Sequence, residues 1–295
     1  AIPTVLTMTV VPILGAGSSM ADYRIGFKWW ALIIAVVFVI SELVCVACVP
    51  ERPVACDEKP GKISDMFKAL FKNDQAMTVV VSIILVYTSL NICGNLVLYF
   101  FRFDVGNEGA YSIFAAVAFA AQVLVMMVIP LLRKRFSKSQ LFISGFIIQI
   151  AGFAVILIMA FAKLYTPQSW YILCLPGILI YLGYGMLNVI MTIFLSDSVD
   201  YGEVMNGTRD ESVIFSMQTF TVKLASGVAV FLAGLVVDWI HLDTAAAVQT
   251  QDTLDALRMW MTIPSVILLI VGIFVFKRFY KLDDTRMEEI KSKLN

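Results

Sequence analysis

Residues 212–237 read SVIFSMQTFTVKLASGVAVFLAGLVV. A stretch this apolar exceeds the ~20 residues that span a bilayer as a helix. Its one charged residue is Lys223. A lysine at bilayer depth costs roughly 2.5–3.5 kcal/mol on insertion scales, so an ionisable group there points to function. Ser212, Ser216, Thr219, Lys223 and Ser226 follow one another at steps of 4, 3, 4 and 3. That spacing places all five on one helical face, with Val213, Phe215, Phe220 and Leu224 on the others. A polar stripe centred on a cation must face protein or water instead of lipid. The alternative is a lysine that snorkels to the headgroups. At about 1.5 Å rise per residue, a position this far inside the span reaches the surface poorly.

The rest of the chain extends this reading. It is 60% hydrophobic and 15% charged, with mean hydropathy +0.86, against about 25% charged residues in soluble domains. The apolar runs are long and do not alternate, so the fold class is all-α integral membrane. Eight spans are expected: Ile2–Gly15, Trp29–Val49, Ala76–Phe100, Ala110–Leu132, Leu141–Ala162, Trp170–Leu195, Ser212–Val237 and Leu257–Phe276. The first is short and starts abruptly at Ala1, which suggests an N-terminally truncated chain. Alternate loops carry 16 basic residues on one side and 5 on the other, so the C-terminus is expected to be cytoplasmic. In the loop Pro50–Gln75, Ile63, Met66, Phe67, Leu70 and Phe71 form the apolar face of an amphipathic segment with Lys62, Lys68 and Lys72 beside it. It reads as a helix lying in the membrane interface.

The net charge of +0 gives no nucleic-acid signal. Five cysteines, Cys45, Cys48, Cys56, Cys93 and Cys174, form no disulfide framework,. His241 has no companion ligand, so no metal site or cofactor is expected. There is no phosphate loop, Ser-His-Asp set or pair of catalytic carboxylates, which argues against an enzyme.

Residues 195–223, LSDSVDYGEVMNGTRDESVIFSMQTFTVK, hold the densest chemistry. Asp197, Asp200 and Glu203 step by three and share a face if the preceding helix continues past the membrane. Asn206-Gly207 signals a turn. Arg209 follows, and Asp210 and Glu211 open the next helix, where its dipole favours negative charge. Such a cluster either locks two helix ends in one state or is a solvated charged loop.

Taken together, Asp197-Ser-Val-Asp-Tyr-Gly-Glu203, Arg209-x-Glu211-Ser212, Ser216-x-Gln218-Thr219 and Lys223 resemble the glycoside–pentoside–hexuronide:cation symporters, the melibiose permease family. Phe71-Lys-Asn-Asp-Gln75 and Phe279-Tyr280-Lys281-Leu282 are similar to that family's entry to helix seven and end of helix twelve. The resemblance implies a major-facilitator-type fold of twelve helices in two bundles, of which this chain would be helices five to twelve. Residues 1–49 would close the N-terminal bundle. Residues 50–75 would be the cytoplasmic middle loop, 76–276 a six-helix C-terminal bundle and 277–295 a cytoplasmic tail.

The implied function is alternating-access symport of a glycoside, pentoside or hexuronide with sodium or a proton across the bacterial cytoplasmic membrane. Lys223 falls on a lysine implicated in sugar binding and cation coupling, with Gln218 and Thr219 near the sugar. Asp197, Asp200, Glu203 and Arg209 match a cytoplasmic charge network. Asn188 stands where the melibiose-type member has tryptophan, so an amide replaces an aromatic platform. The coupling-ion carboxylates belong to helices two and four, outside this chain, and Glu42 does not match them. The other readings are a non-transporting remnant or sensor of the same fold, and a lipid or amphiphile carrier.

Overall fold

Apolar runs of this length become continuous helices in the computed structural model, which describes residues 10–11, 13–15, 20–48, 70–207, 211–244, 246 and 248–294. The expected interfacial segment at 63–71 falls almost wholly outside these residues, as do Arg209, Cys56 and most of the first expected span. Among the described residues seven helices are long and apolar enough to cross a membrane. The chain divides into two compact units, Ala1–Gly61 and Lys62–Asn295. The first contains α1 (Met20–Cys48), apolar on every side between Ala31 and Ile40.

The second unit holds α2 (Asp74–Tyr99), α3 (Ala110–Leu132), α4 (Lys138–Phe161), α5 (Cys174–Asn206), α6 (Glu211–Trp239) and α7 (Gln251–Phe279), then a short α8 (Asp284–Leu294). The six long helices alternate in direction. The starts of α2, α4 and α6 therefore share one end with α8 (the tail end), and their other termini share the far end. α5 packs against α3 and α4, α2 against α6 and α7, and α4 also touches α7. α5 continues past its expected limit at Leu195 to Asn206, so Asp197, Asp200 and Glu203 are helical and share a face. Gly207 stops it in the left-handed region, φ 73°, a conformation open to glycine at little cost.

Lipid gives helices no hydrophobic reason to associate, so small residues and interhelical hydrogen bonds must join them. Gly183 of α5 lies against Gly145 of α4 so closely that an added Cβ would stand 2.5 Å from the Gly145 carbonyl oxygen and 2.6 Å from the Gln149 nitrogen. α2 and α7 exchange reciprocal bonds: Ser89 Oγ donates to the Ser265 carbonyl at 3.1 Å, and Ser265 Oγ to the Ser89 carbonyl at 2.8 Å. At the tail end Phe142, Phe194, Phe276 and Tyr280 from α4, α5 and the end of α7 form a ring cluster with centroids 4.4–5.2 Å apart.

Gly183→Ala should destabilise the protein by about 1–3 kcal/mol through overpacking against backbone. Gly94→Ala, whose Cβ would meet nothing within 4 Å, should leave melting in detergent unchanged. Equal melting temperatures for the two variants would contradict the close α4–α5 contact.

Candidate functional site

The stripe around Lys223 lies opposite the packed face of α6. Ile214, Met217, Thr221, Ala225, Ala229 and Ala233 are buried, whereas Ser212, Ser216, Thr219 and Lys223 are exposed within this unit and Gln218 and Ser226 are half-buried. The Thr219 hydroxyl donates back to the Phe215 carbonyl at 3.4 Å. Among the described residues no carboxylate stands within ion-pair distance of Lys223. The unit's own packing therefore leaves this polar face unused.

Asn188 of α5 is engaged differently. Its amide donates to the Tyr87 hydroxyl of α2 at 2.6 Å, and the Tyr184 ring meets the Tyr87 ring edge-on, centroids 5.5 Å apart. No hydrogen bond among the described residues joins Asn188 to Lys223, so the four expected substrate-binding residues form two separate groups. Tyr87, missed in the sequence, carries a visible signal: it begins a four-residue repeat with Asn91, Asn95 and Tyr99.

At the tail end the expected charge network has a buried member. Asp197 of α5 is 5% exposed and forms an ion pair with Lys138, also 5% exposed. Lys138 occupies the first turn of α4, after the capping box of Ser137 and Gln140, where the helix dipole opposes a cation. Carboxylates must compensate, and Asp284 at the start of α8 supplies a second at 3.4 Å. Asp284 also accepts from Arg133, 3.3 Å away. Burial would raise the Asp284 carboxyl, but the Arg133 hydrogen bond and the charges of Arg133 and Lys138 hold it below the ordinary aspartate range.

The buried Tyr280 hydroxyl has no hydrogen-bond partner among the described residues. Burial first, then the nearby Asp197, Asp284 and Asp283, push its ionisation up. Leu282, Met287 and Ile290 seat α8 on Tyr201 and Val204 of α5. Asp200 and Glu203 are half-buried on the same α5 face.

The motif Asn73-Asp74-Gln75 interlocks with this cluster. Asn73 caps α2 by accepting from the Ala76 nitrogen at 2.9 Å and donates to the Ser198 carbonyl at 2.7 Å. A Cβ on Gly202 would stand 2.8 Å from the Asn73 amide nitrogen, so a glycine at that point of the Asp-Tyr-Gly-Glu run lets α2 and α5 meet. The Asp74 carboxylate accepts from the Gln75 amide at 2.8 Å. Gln75 accepts from the Lys281 nitrogen at 2.8 Å and donates to the Phe279 carbonyl at 3.3 Å, capping the end of α7.

The far end carries a second buried pair. α2 continues into a π-helical turn, Phe100–Asp104, which points Asp104 at Arg258 of α7. The guanidinium donates through Nε at 2.8 Å and Nη2 at 2.5 Å to the two Asp104 oxygens, and both side chains are 3% exposed. Tyr165 Oη donates to Asp104 at 2.7 Å, and Arg258 Nη1 reaches Asp255 at 2.7 Å. Burial, with Asp104 beside it, pushes the Tyr165 phenol up. Asp104 and Arg258 lie 154 positions apart, too far for local patterning to pair them.

A bundle of membrane-length helices with buried ion pairs at both ends and an unused polar face between defines a multi-pass membrane protein of the transporter class. The chain belongs to the MFS/sugar transport protein family, which matches residues 1–284. That is a family of transport proteins, not of enzymes. The chain is similar to the raffinose carrier protein of Pediococcus pentosaceus, 24% identical over 98% of this chain and 45% of the relative. It is also similar to the isoprimeverose transporter of Lactiplantibacillus pentosus, 25% identical over 94% of this chain and 56% of the relative. An uncharacterized symporter of Bacillus subtilis is 25% identical over 85% and 54%. The chain thus spans about half the length of these relatives.

Asp104→Asn should cost about 3–5 kcal/mol, because it leaves Arg258 buried with half its compensation gone. Asp255→Asn, at the exposed side of the same guanidinium, should cost under about 1 kcal/mol. Denaturation in mixed micelles compares the two. Because Asp284 is held low, its contribution is present at neutral pH and is lost as pH falls through and below the ordinary carboxylate range. Amide protection in α8, taken relative to the intrinsic exchange rate at each pH, should therefore fall on acidification, and Asp284→Asn should lower it already at pH 7.

Proposed function

We propose that this chain is part of a secondary active transporter that carries a small glycoside, pentoside or hexuronide with a coupling cation, sodium or a proton, by alternating access. The single observation that carries the reading is the polar stripe centred on Lys223, left outside the packed core of its own unit. Family membership and the names of the raffinose and isoprimeverose relatives support a sugar as cargo. Lys223, Thr219 and Gln218 would offer an ammonium, a hydroxyl and an amide to sugar hydroxyls. Asn188, held by Tyr87, would offer its amide oxygen from α5.

An unpaired ammonium raises the free energy of an empty site. Sugar and cation bound together would offset that cost, so the loaded carrier reorients more readily than the half-loaded one. The coupling-cation carboxylates would come from helices two and four of the twelve-helix arrangement. The tail end, richest in lysine and arginine, would face the cytoplasm. There the cluster of Lys138, Asp197 and Asp284, with Asp200, Glu203 and Arg209, would hold one state of the carrier and loosen in the other.

In membrane vesicles bearing the full-length gene product, counterflow with a panel of glycosides and uronates at several sodium and proton concentrations should show exchange of at least one sugar. Lys223→Ala should abolish concentrative uptake while membrane insertion stays intact. Uptake at the parental rate by that variant would remove Lys223 from the mechanism.

A further inference from the structure

Tyr87, Asn91, Asn95 and Tyr99 step by four along α2, forming a ridge that climbs about 18 Å at 1.5 Å per residue. All four are half-buried. Asn91 donates to the Tyr87 carbonyl and Asn95 to the Asn91 carbonyl, each at 2.7 Å. Each amide therefore has a donor committed to its own helix and keeps its oxygen as an acceptor,.

Towards the far end this ridge meets α6 at a cavity of about 550 Å³ lined by Asn95, Tyr99, Val230, Phe231, Gly234 and Asp238, among others. Small-molecule sites occupy roughly 300–1,000 Å³ and combine an apolar lining with a few placed polar groups. A Cβ added to Gly234 would meet nothing within 4 Å, so the glycine leaves space open and is not required by packing. Gly234 lies eleven residues beyond Lys223, close to three helical turns, which puts both on the same face of α6 about 16 Å apart.

The chemistry of the lining is selective. The Asn95 oxygen and the Asp238 carboxylate both accept hydrogen bonds. The Tyr99 ring, stacked at 8° to Phe103, offers an aromatic flank. Among the described residues lining the cavity, Asp238 is the one charge. Acceptors beside an aromatic ring suit the hydroxyls and the C–H face of an uncharged sugar. A carboxylate that pairs with no cation among the described residues repels a uronate or sulfonate,.

We propose that the cavity between α2 and α6 is an outer sugar subsite that receives uncharged glycosides ahead of the Lys223 site and rejects anionic ones. The proposal rests on the carrier reading and narrows its substrate class.

The test uses Gly234→Cys in the full-length protein in membrane vesicles, with parental labelling subtracted. Maleimide labelling of the new thiol is timed with methyl galactoside, raffinose or glucuronate present. The uncharged sugars should slow labelling at least threefold, and glucuronate at the same concentration should not. Adding Asp238→Asn should let glucuronate protect as well. The subsite is overturned if no uncharged sugar protects, or if glucuronate protects equally with Asp238 in place. Uptake measured in parallel separates the two readings: uptake without protection keeps the carrier and removes the subsite, and protection with no uptake of any sugar by the unsubstituted protein overturns the carrier reading and with it the subsite's role ahead of Lys223.

Discussion

A charge that leaves water must take its compensation with it, and this requirement organises the second unit. Arg258 and Lys138 are almost wholly buried, and each carries a carboxylate, Asp104 at one end of the bundle and Asp197 at the other. Bilayer surroundings make the alternative expensive, because an unpaired buried charge has nothing to relax toward. Lys223 breaks the pattern. It is exposed within the unit, on a face whose neighbours are serines and a threonine, and no described carboxylate pairs with it. Among the described residues, the packing of this unit compensates the two buried cations and makes no use of Lys223.

The tail-end contacts show how one short motif ties three helices. Asn73 serves the Ser198 carbonyl, and Gln75, whose amide also donates to Asp74, serves the end of α7. Asp197, four residues before Tyr201, holds Lys138 of α4, and α8 packs on the same turn of α5. Displacing α5 at this end therefore disturbs α2, α4, α7 and α8 together. Such coupling suits an element with two discrete arrangements better than one that deforms gradually.

Much of this was legible in the sequence, for reasons that differ by residue. The spans follow from uninterrupted apolar runs, and Ala110–Leu132 is a helix with the bounds hydropathy predicts. The turn at Asn206-Gly207 is legible because only a few residues tolerate a positive φ. Where helices overrun the hydrocarbon, as α5 does to Asn206, hydropathy stops too soon because the last turns are charged. Asp197, Asp200 and Glu203 are legible as one face from their spacing, but not the pairing of Asp197 with Lys138. The Asp104–Arg258 pair is invisible locally: it needs a π-turn to aim the carboxylate and the whole bundle to bring α7 beside it. The commitment of Asn188 to Tyr87 is hidden for the same reason.

α2 is attached at three levels of the bundle. Its N-terminus carries the motif that ties the tail end, and its π-turn carries Asp104 at the far end. Its middle is bound to α7 through Ser89 and Ser265. With three separate attachments it is poorly placed to move within its unit. Its partly exposed ridge, from Tyr87 to Tyr99, is therefore held in place, with Asn95 and Tyr99 beside the far end of α6. Placement on a rigid element keeps those polar groups in a constant geometry.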